Sequence, residues 1–347
     1  MKRHLLFLAA LLIVNLAASA QKKFSVYAVG FYNQENLFDT CHDEGKKDYE
    51  YLPNKGWNGM KYTNKLRNMS KALADMGTDV LPNVGCAFIG LSEVENHKVL
   101  DALVDQAPLK ARNMKYVHIE GPDCRGIDCA LLYNPSLFSV KNVKLLPYVQ
   151  ELAKDSAFFT RGFLTVRGEM AGDDVAVIVC HWPSRFSGPF YRESAARQVK
   201  VIKDSLLNVN QEMKIFVMGD MNDDPVNKSM HVYLQAKPEI SQVGAGDMYN
   251  PWYNVLAKEG KGTLFYSGNW NLFDQIVITP NLLNKDAKKK DYSSLKYWKS
   301  HIFRRDYLIQ QEGQYKGAPL RTTAGGRWLN GYSDHLPVVM YLVKEKR

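Results

Sequence analysis

The sequence predicts an α/β domain whose sheets are mixed and largely antiparallel. Apolar runs of strand length recur from end to end: "FSVYAVGF", "AFIGLSE", "CALLYNP", "GFLTVRGE", "DVAVIVCH", "KIFVMGD", "LFDQIVIT" and "LPVVMYLV". Only two amphipathic helical patterns stand out between them, so strands dominate and are spread along the chain. Polar residues supply the third observation. Glu93 and Asp220 follow their strands, whereas Asp334 and His335 precede theirs. Loops that meet at one sheet edge from both strand directions need antiparallel neighbours, which argues against a fully parallel Rossmann sheet.

The first twenty residues stand apart from that pattern. "MKRHLLFLAALLIVNLAASA" has a basic start, an apolar run from Leu5 to Val14 and a small-residue end, the layout of a secretory signal peptide cut near Ala20. The run is too short to span a bilayer, and no later segment looks membrane-spanning, so a soluble, secreted or periplasmic protein is expected. Cleavage removes Lys2 and Arg3. The 45 basic side chains fall to 43 against 36 acidic, and the formal net charge drops from +9 to +7. A moderately basic exported protein favours anionic partners.

The remainder, 21–347, reads as one catalytic domain, since 46% hydrophobic content over 347 residues sustains a large core and no linker interrupts it. In "NKLRNMSKALADMG", Leu66, Met69, Leu73 and Met76 share a helical face and Gly77 stops the helix. In "SAARQVKVIKDSLL", Val199, Ile202 and Leu206 form the apolar face, with Arg197, Lys200 and Lys203 opposite. Residues from about 283 to 330 are polar, basic and aromatic, and read as a surface insertion. Five cysteines leave at least one thiol without an intramolecular partner; Cys124 and Cys129 are close enough to bridge a hairpin, and Cys180 reads as a buried small hydrophobe.

The chemistry concentrates where strands end. "KIFVMGDMNDDP" drives a buried strand into Asp220, Asn222, Asp223 and Asp224. Comparable strand ends carry Asn33 and Glu35, Glu93 and Glu95, His181 and Arg185, Asp274, and Asp334 with His335. Carboxylates gathered at one edge repel one another unless a hard cation with oxygen ligands neutralises them, and Mg²⁺ is the first choice beside phosphate, with Mn²⁺ or Ca²⁺ as substitutes. Two histidines add groups that titrate near neutrality. Metal, water positioner and imidazole donors together suit in-line attack on a phosphoester.

The ordered set "YNQENLFD", "GLSEVEN", "GIDCALLYNP", "CHWPSR", "VMGDMNDDP", "NLFDQIVI" and "GYSDHLPV" resembles the endonuclease/exonuclease/phosphatase superfamily, the fold of pancreatic-type deoxyribonuclease, over essentially the whole mature chain. The resemblance implies a four-layer sandwich: two mostly antiparallel sheets face to face, flanked by helices. It also implies roles. Glu93 matches the principal metal-binding glutamate, Asn33 the first-strand asparagine, Glu35 an acidic ligand of some members and Asp334 a second metal-side carboxylate. Asp220 and Asn222 match the pair that positions the nucleophilic water. His335 matches the catalytic histidine, Asp274 the carboxylate that orients it, and His181 the second histidine of the deoxyribonuclease-like branch. Arg161 matches a phosphate-facing arginine more loosely.

Glu95, Asn96, Asp223 and Asp224 read as supporting or loop-capping residues, Arg125 and Asp128 as fixing a turn, and His42 as a surface histidine. Arg185 stands just beyond His181 with Phe186, and the insertion adds Lys288, Lys289, Lys290, Trp298, Arg304 and Arg305. Basic residues interleaved with aromatics suit phosphate contact and base stacking. The expected activity is therefore a secreted metal-dependent phosphodiesterase, most simply a nuclease on extracellular DNA or RNA. A phosphatase or phospholipase C-like enzyme on inositol phosphate or sphingomyelin is the alternative, and a catalytically silent binding module a remote one. No protein partner and no stable membrane insertion are implied.

Overall fold

The computed structural model of the protein describes residues 23–149, 159–286 and 288–346. The proposed signal peptide lies outside the described residues. Strand β1 (Phe24–Leu37) runs parallel to β2 (Phe88–Val94), and β3 (Lys115–His118) and β4 (Asp128–Tyr133) extend that side antiparallel. A second sheet starts with β5 (Phe138–Leu146), β6 (Phe163–Met170), β7 (Asp173–His181) and β8 (Lys214–Asp220). Short strands β9 (Ala236–Lys237) and β10 (Met248–Tyr249) close its far edge beside β13 (Asp274–Ile278), while β11 (Leu264–Tyr266) and β12 (Asn269–Asn271) form a separate hairpin. The chain then returns to the first sheet with β14 (Lys296–Ile302), makes a small ribbon of β15 (Thr323–Ala324) and β16 (Arg327–Trp328), and ends in β17 (Val338–Glu345). The two sheets have the orders β14-β17-β1-β2-β4-β3 and β5-β6-β7-β8-β13-β10-β9. Only β1–β2, β7–β8 and β9–β10 are parallel, as the positions of the polar strand ends required.

Alternation along each strand builds the layers. Val29 and Phe31 of β1 face Val177, Val179, Phe216 and Met218 of the second sheet in a central core. Their neighbours Ala28 and Tyr32 face outward onto helix α1 (Gly59–Asp75), and Ala176 and Ile178 face outward onto α4 (Pro189–Val209), numbered after the short α2 (His97–Val104) and α3 (Ala107–Lys110) and before α5 (Trp252–Ala257). Strands buried on both faces explain the unbroken apolar runs in the sequence. In α1, Asn58 caps the N-terminus by accepting from the Lys61 amide, and Leu66, Met69 and Leu73 are buried, each worth about 1.5–3 kcal/mol of transfer free energy. Gly77 follows with φ +81°, the left-handed stop.

Three expectations change. Lys203, assigned to the polar face of α4, is fully buried and donates to the Gly246 carbonyl while pairing with Asp204. The segment 283–330 is not only a surface insertion: β14 is an edge strand of the first sheet, and Leu295, Phe303 and Leu308 enter the core. Cys124 is exposed and Cys129 buried, and both are free thiols, because β4 carries Cys129 into the core away from the loop. His42 is an exposed surface histidine as expected, with Nδ1 2.5 Å from the Asp48 carboxylate. Cys180 is buried as a small hydrophobe.

Candidate active site

Three neighbouring strands bring half of the site into one row. In register, His181 at the end of β7 lies beside Asp220 at the end of β8, and Asp220 lies beside Asp274 at the start of β13. Gly219 is required by this crowding: a Cβ there would collide with the Cys180 carbonyl of the adjacent strand. The first sheet supplies the facing half. Its register breaks between Asn33 and Leu37 on β1 and between Ser92 and Val94 at β2–β4, where Glu35, Asn36 and Glu93 adopt left-handed φ of 45°, 56° and 59°. Asn222 does so after β8, at 48°. Such conformations cost on the order of 1–3 kcal/mol each and turn side chains out of the sheet toward a common point, as bulges beside sites do.

The carboxylates are held individually. Asn33 Nδ2 donates to Asp220 Oδ2 at 3.1 Å, and the Asn222 amide to Asp220 Oδ1 at 2.9 Å. Asn222 Nδ2 donates to the Trp182 carbonyl, and Glu93 Oε2 accepts from the Asn36 amide. His335 Nδ1 lies 2.7 Å from Asp274 Oδ2, with both residues buried, and its Nε2 lies 3.9 Å from Asp220 Oδ2 and 3.9 Å from Asp334 Oδ1. Burial alone would lower the His335 pKa, but Asp274 and Asp220 overcome that and hold it well above the ordinary imidazole value. His181 is shifted the opposite way: burial, then the nearby Arg161 and Arg125, push it well below that value, so it is a neutral imidazole. Burial raises the Asp220 carboxyl to about 7 against the pull of His335.

One cluster fits a cation. Glu93 Oε1, His181 Nε2 and Asp220 Oδ2 face one another, with His181 3.7 and 3.6 Å from the two oxygens; three ligand atoms of these residues lie within 4.8 Å of one another. These gaps exceed hydrogen bonds, and a neutral imidazole cannot offset two carboxylates. His181 Nδ1 is buried with no partner among the described residues. Oxygen and imidazole donors around a gap with unbalanced negative charge suit a divalent ion.

Other assigned residues take different places. Glu35, expected near the metal, accepts from Arg321 Nε through Oε1 at 3.1 Å and from the Thr322 amide through Oε2 at 2.6 Å. Asp334 Oδ2 accepts from Arg321 Nη2 at 3.0 Å. Arg321 binds both carboxylates and the buried Lys65 acts on both, so they are engaged outside the Glu93–His181–Asp220 cluster, and Asn33 reaches it only through Asp220. Arg161 is buried and donates to Asp123 at 3.0 Å and the Trp182 carbonyl at 2.9 Å; it reaches no open surface and acts on the site through His181. Arg185 lies over the Phe273 ring at 4.4 Å and bonds Asn222 O, Asn271 and Asp224, bracing the Asn222 loop. Supporting roles fall as expected for Asn96, which caps α2, and for Asp223, which binds Arg192 and Ser229.

Two participants were not read from the sequence. Arg321 sits in a polar loop without periodicity, and nothing local marks it. Lys65 was detectable: it precedes Met69 by four residues, on the apolar stripe of α1. It is buried and donates to Thr322 Oγ1 and the Tyr332 carbonyl, tying the Arg321–Asp334 loop to α1.

Comparison with known proteins agrees with this architecture. The model of the Endonuclease/Exonuclease/phosphatase family matches residues 28–344. A search of curated proteins by sequence finds no match. Among solved structures, an endonuclease/exonuclease/phosphatase family protein from Bacteroides thetaiotaomicron superposes with TM-score 0.55 at 14% identity, over 93% of this chain and 97% of that one. A mannosyl-6-phosphatase of the same organism gives 0.55 at 13%, over 91% and 99%. D. rerio TDP2 complexed with a single-strand DNA product gives 0.53 at 11%, over 92% and 99%. At such identities the likeness shows the fold, two mostly antiparallel sheets with flanking helices. With the family model spanning nearly every described residue, the chain belongs to the endonuclease/exonuclease/phosphatase family and is a hydrolase of phosphoester bonds.

Proposed function

We propose that this protein is a divalent-cation-dependent phosphoesterase that hydrolyses by in-line attack of water, and that it is exported. The observation that carries the reading is the Glu93–His181–Asp220 cluster beside the His335–Asp274 pair. A cation held by Glu93 and Asp220, with His181 as its nitrogen donor, would neutralise charge on the phosphoryl oxygens; Mg²⁺ suits the oxygen donors, and Mn²⁺ suits the mixed set. Ionised Asp220 positions the attacking water and takes its proton through Oδ1, the oxygen that the Asn222 amide also holds, while Oδ2 faces the cation site. His335, kept protonated by Asp274, donates from Nε2 to the phosphoryl or leaving oxygen. The test is hydrolysis of nitrophenyl phosphate and bis-nitrophenyl phosphate with Mg²⁺ or Mn²⁺. Cleavage should cease with EDTA and return with added ion, and a rate untouched by chelation would remove the cation from the reaction.

The pKa shifts give a second expected result. Folded Asp220 and His335 both hold protons more tightly than the unfolded chain, so stability from both is greatest at low pH and is lost as pH rises, through about 7 for Asp220. The Tm of the metal-free protein should therefore fall between about pH 6.5 and 8, above the ordinary imidazole value, where the opposite contribution of His181 is already complete. Added Mg²⁺ should raise it more at pH 8, where the carboxylate is free to bind; the opposite trend would contradict the assignment.

The nuclease reading loses part of its support. Lys288, Lys289 and Lys290 precede β14, whose Lys296 pairs with Val343, whereas Ile302 pairs with Val338 near His335. The lysine run is thus at the far end of the strand, roughly 20 Å away at about 3.4 Å per residue. Arg305 lies over Phe303 and Arg304 over Trp270. One observation still favours nucleic acid: Phe186, fully exposed next to Arg185, offers a face on which a base stacks. Export rests on residues 1–20. N-terminal sequencing of protein from the medium or periplasm should begin near Gln21, and recovery of an intact Met1 from the cytoplasm would exclude it.

A further inference from the structure

Beside the catalytic residues lies a cavity of about 920 Å³. Its wall begins at Asp334, next to His335, and at Arg321, whose Nε and Nη2 are spent on Glu35 and Asp334. Nη1 donates to no protein group among the described residues, which leaves that guanidinium edge for a ligand. The rest of the lining comes from the β11–β12 hairpin and the loop before β15. Tyr266 and Tyr315 are 69% and 52% exposed, and the side-chain amides of Gln310 and Gln314 bond no other protein group among the described residues. Ser267 and Thr323 add hydroxyls.

We infer that this cavity is the subsite for the group esterified to the scissile phosphate, and that it takes an uncharged, hydroxyl-bearing ring: a sugar or cyclitol phosphate. The inference rests on the phosphoesterase reading above and names its substrate class. Charge decides between classes. Among the described lining residues Arg321 and Asp334 alone are charged, and they pair with each other, so the cavity is close to neutral. A nucleic-acid strand needs a row of cations along its backbone, and the basic run of this chain stands at the far end of β14. A neutral ring needs hydrogen-bonding groups around its hydroxyls and flat faces against its C–H edges, which amides and tyrosines supply. The volume lies within the range of small-molecule sites. Clamped by two carboxylates, the guanidinium cannot swing, so Nη1 offers a fixed donor where the ester oxygen leaves the site. In the reaction, water oxygen bonds to phosphorus and gives its proton to Asp220, the P–O ester bond breaks, and the ester oxygen departs on the polyol with a proton from His335, giving the free polyol and inorganic phosphate.

The test is a panel with Mg²⁺: hexose 6-phosphates, inositol monophosphates, a mononucleotide, a DNA oligonucleotide, and ethyl phosphate, whose leaving group is too small to reach the cavity. A ring phosphate should give the highest kcat/KM, and the hexose and inositol arms tell the two sources apart. Tyr315→Ala and Gln310→Ala should each lower the ratio of kcat/KM for that ring phosphate over ethyl phosphate about ten-fold, chiefly through KM, corresponding to about 1.4 kcal/mol. Both residues are in an accessible loop, and unchanged melting curves confirm the fold. Faster cleavage of the oligonucleotide, or an unchanged ratio in both variants, overturns the subsite while leaving phosphoesterase activity intact. Failure to hydrolyse any member of the panel, or nitrophenyl phosphate, overturns the phosphoesterase reading and the subsite with it.

Discussion

His335→Ala is expected to lower kcat by about 10³-fold, within the range for loss of a positioned general acid. In the proposed mechanism His335 is the proton donor: Asp274 grips Nδ1 at 2.7 Å, and the paired carboxylates hold the ring's pKa well above its ordinary value. The variant also strands Asp274, which is fully buried and whose Oδ1 has no hydrogen-bond partner among the described residues. An uncompensated buried carboxylate costs about 3–5 kcal/mol unless it takes up a proton. His335→Asn separates the two effects, since its amide can still donate toward Asp274. Steady-state kinetics and melting curves are needed on both. If His335→Asn folds as the parent does and turns over at a comparable rate, His335 has no part in the proton transfer.

Glu93→Gln should weaken Mg²⁺ activation at least about 100-fold, because removing a direct ligand costs no less than disturbing an outer one. Glu93 is suited to this test. Its backbone is already committed to φ 59°, and Oε2 keeps its bond from the Asn36 amide after the change, so the side chain stays in place while the charge goes. Calorimetric titration of Mn²⁺ reads the loss without reference to turnover, and the ion-induced rise in Tm should shrink in parallel. Unchanged binding would move the cation away from Glu93, His181 and Asp220. Glu35→Gln makes the contrast: it weakens the Arg321 clamp and should leave the affinity for the ion nearly intact, since the Glu35 carboxylate is engaged by Arg321 and the Thr322 amide and is not one of the clustered ligands.

The layers were legible because strands buried on both faces must be apolar without a break, and β7 and β8 are. Chain direction was legible at Asp334 and His335, since residues preceding a strand reach an edge where others follow only if the strands oppose. Glu93, Asp220 and His335 stood out as polar residues at the ends of apolar strands, and the ordered motifs around them carried the resemblance to the family. Lys203 and Lys65 were misplaced or overlooked because a lysine on a helix is assumed to reach water, and here each finds carbonyl or hydroxyl acceptors inside the fold. Arg161 was given to the substrate because an arginine near a phosphoester site invites that role, yet Asp123 claims it from 38 residues away.

Composition and local pattern determined the class of fold, the strand ends that carry polar groups and the expectation of a cation among their carboxylates, because these follow from nearest neighbours and from charge. The tertiary structure decided which carboxylates remain free for that cation. Glu35 and Asp334 are removed by Arg321, which is 286 residues from Glu35 and 13 from Asp334, and no local rule relates such positions. Electrostatic neutralisation depends on distance in space, and only the folded chain sets that distance.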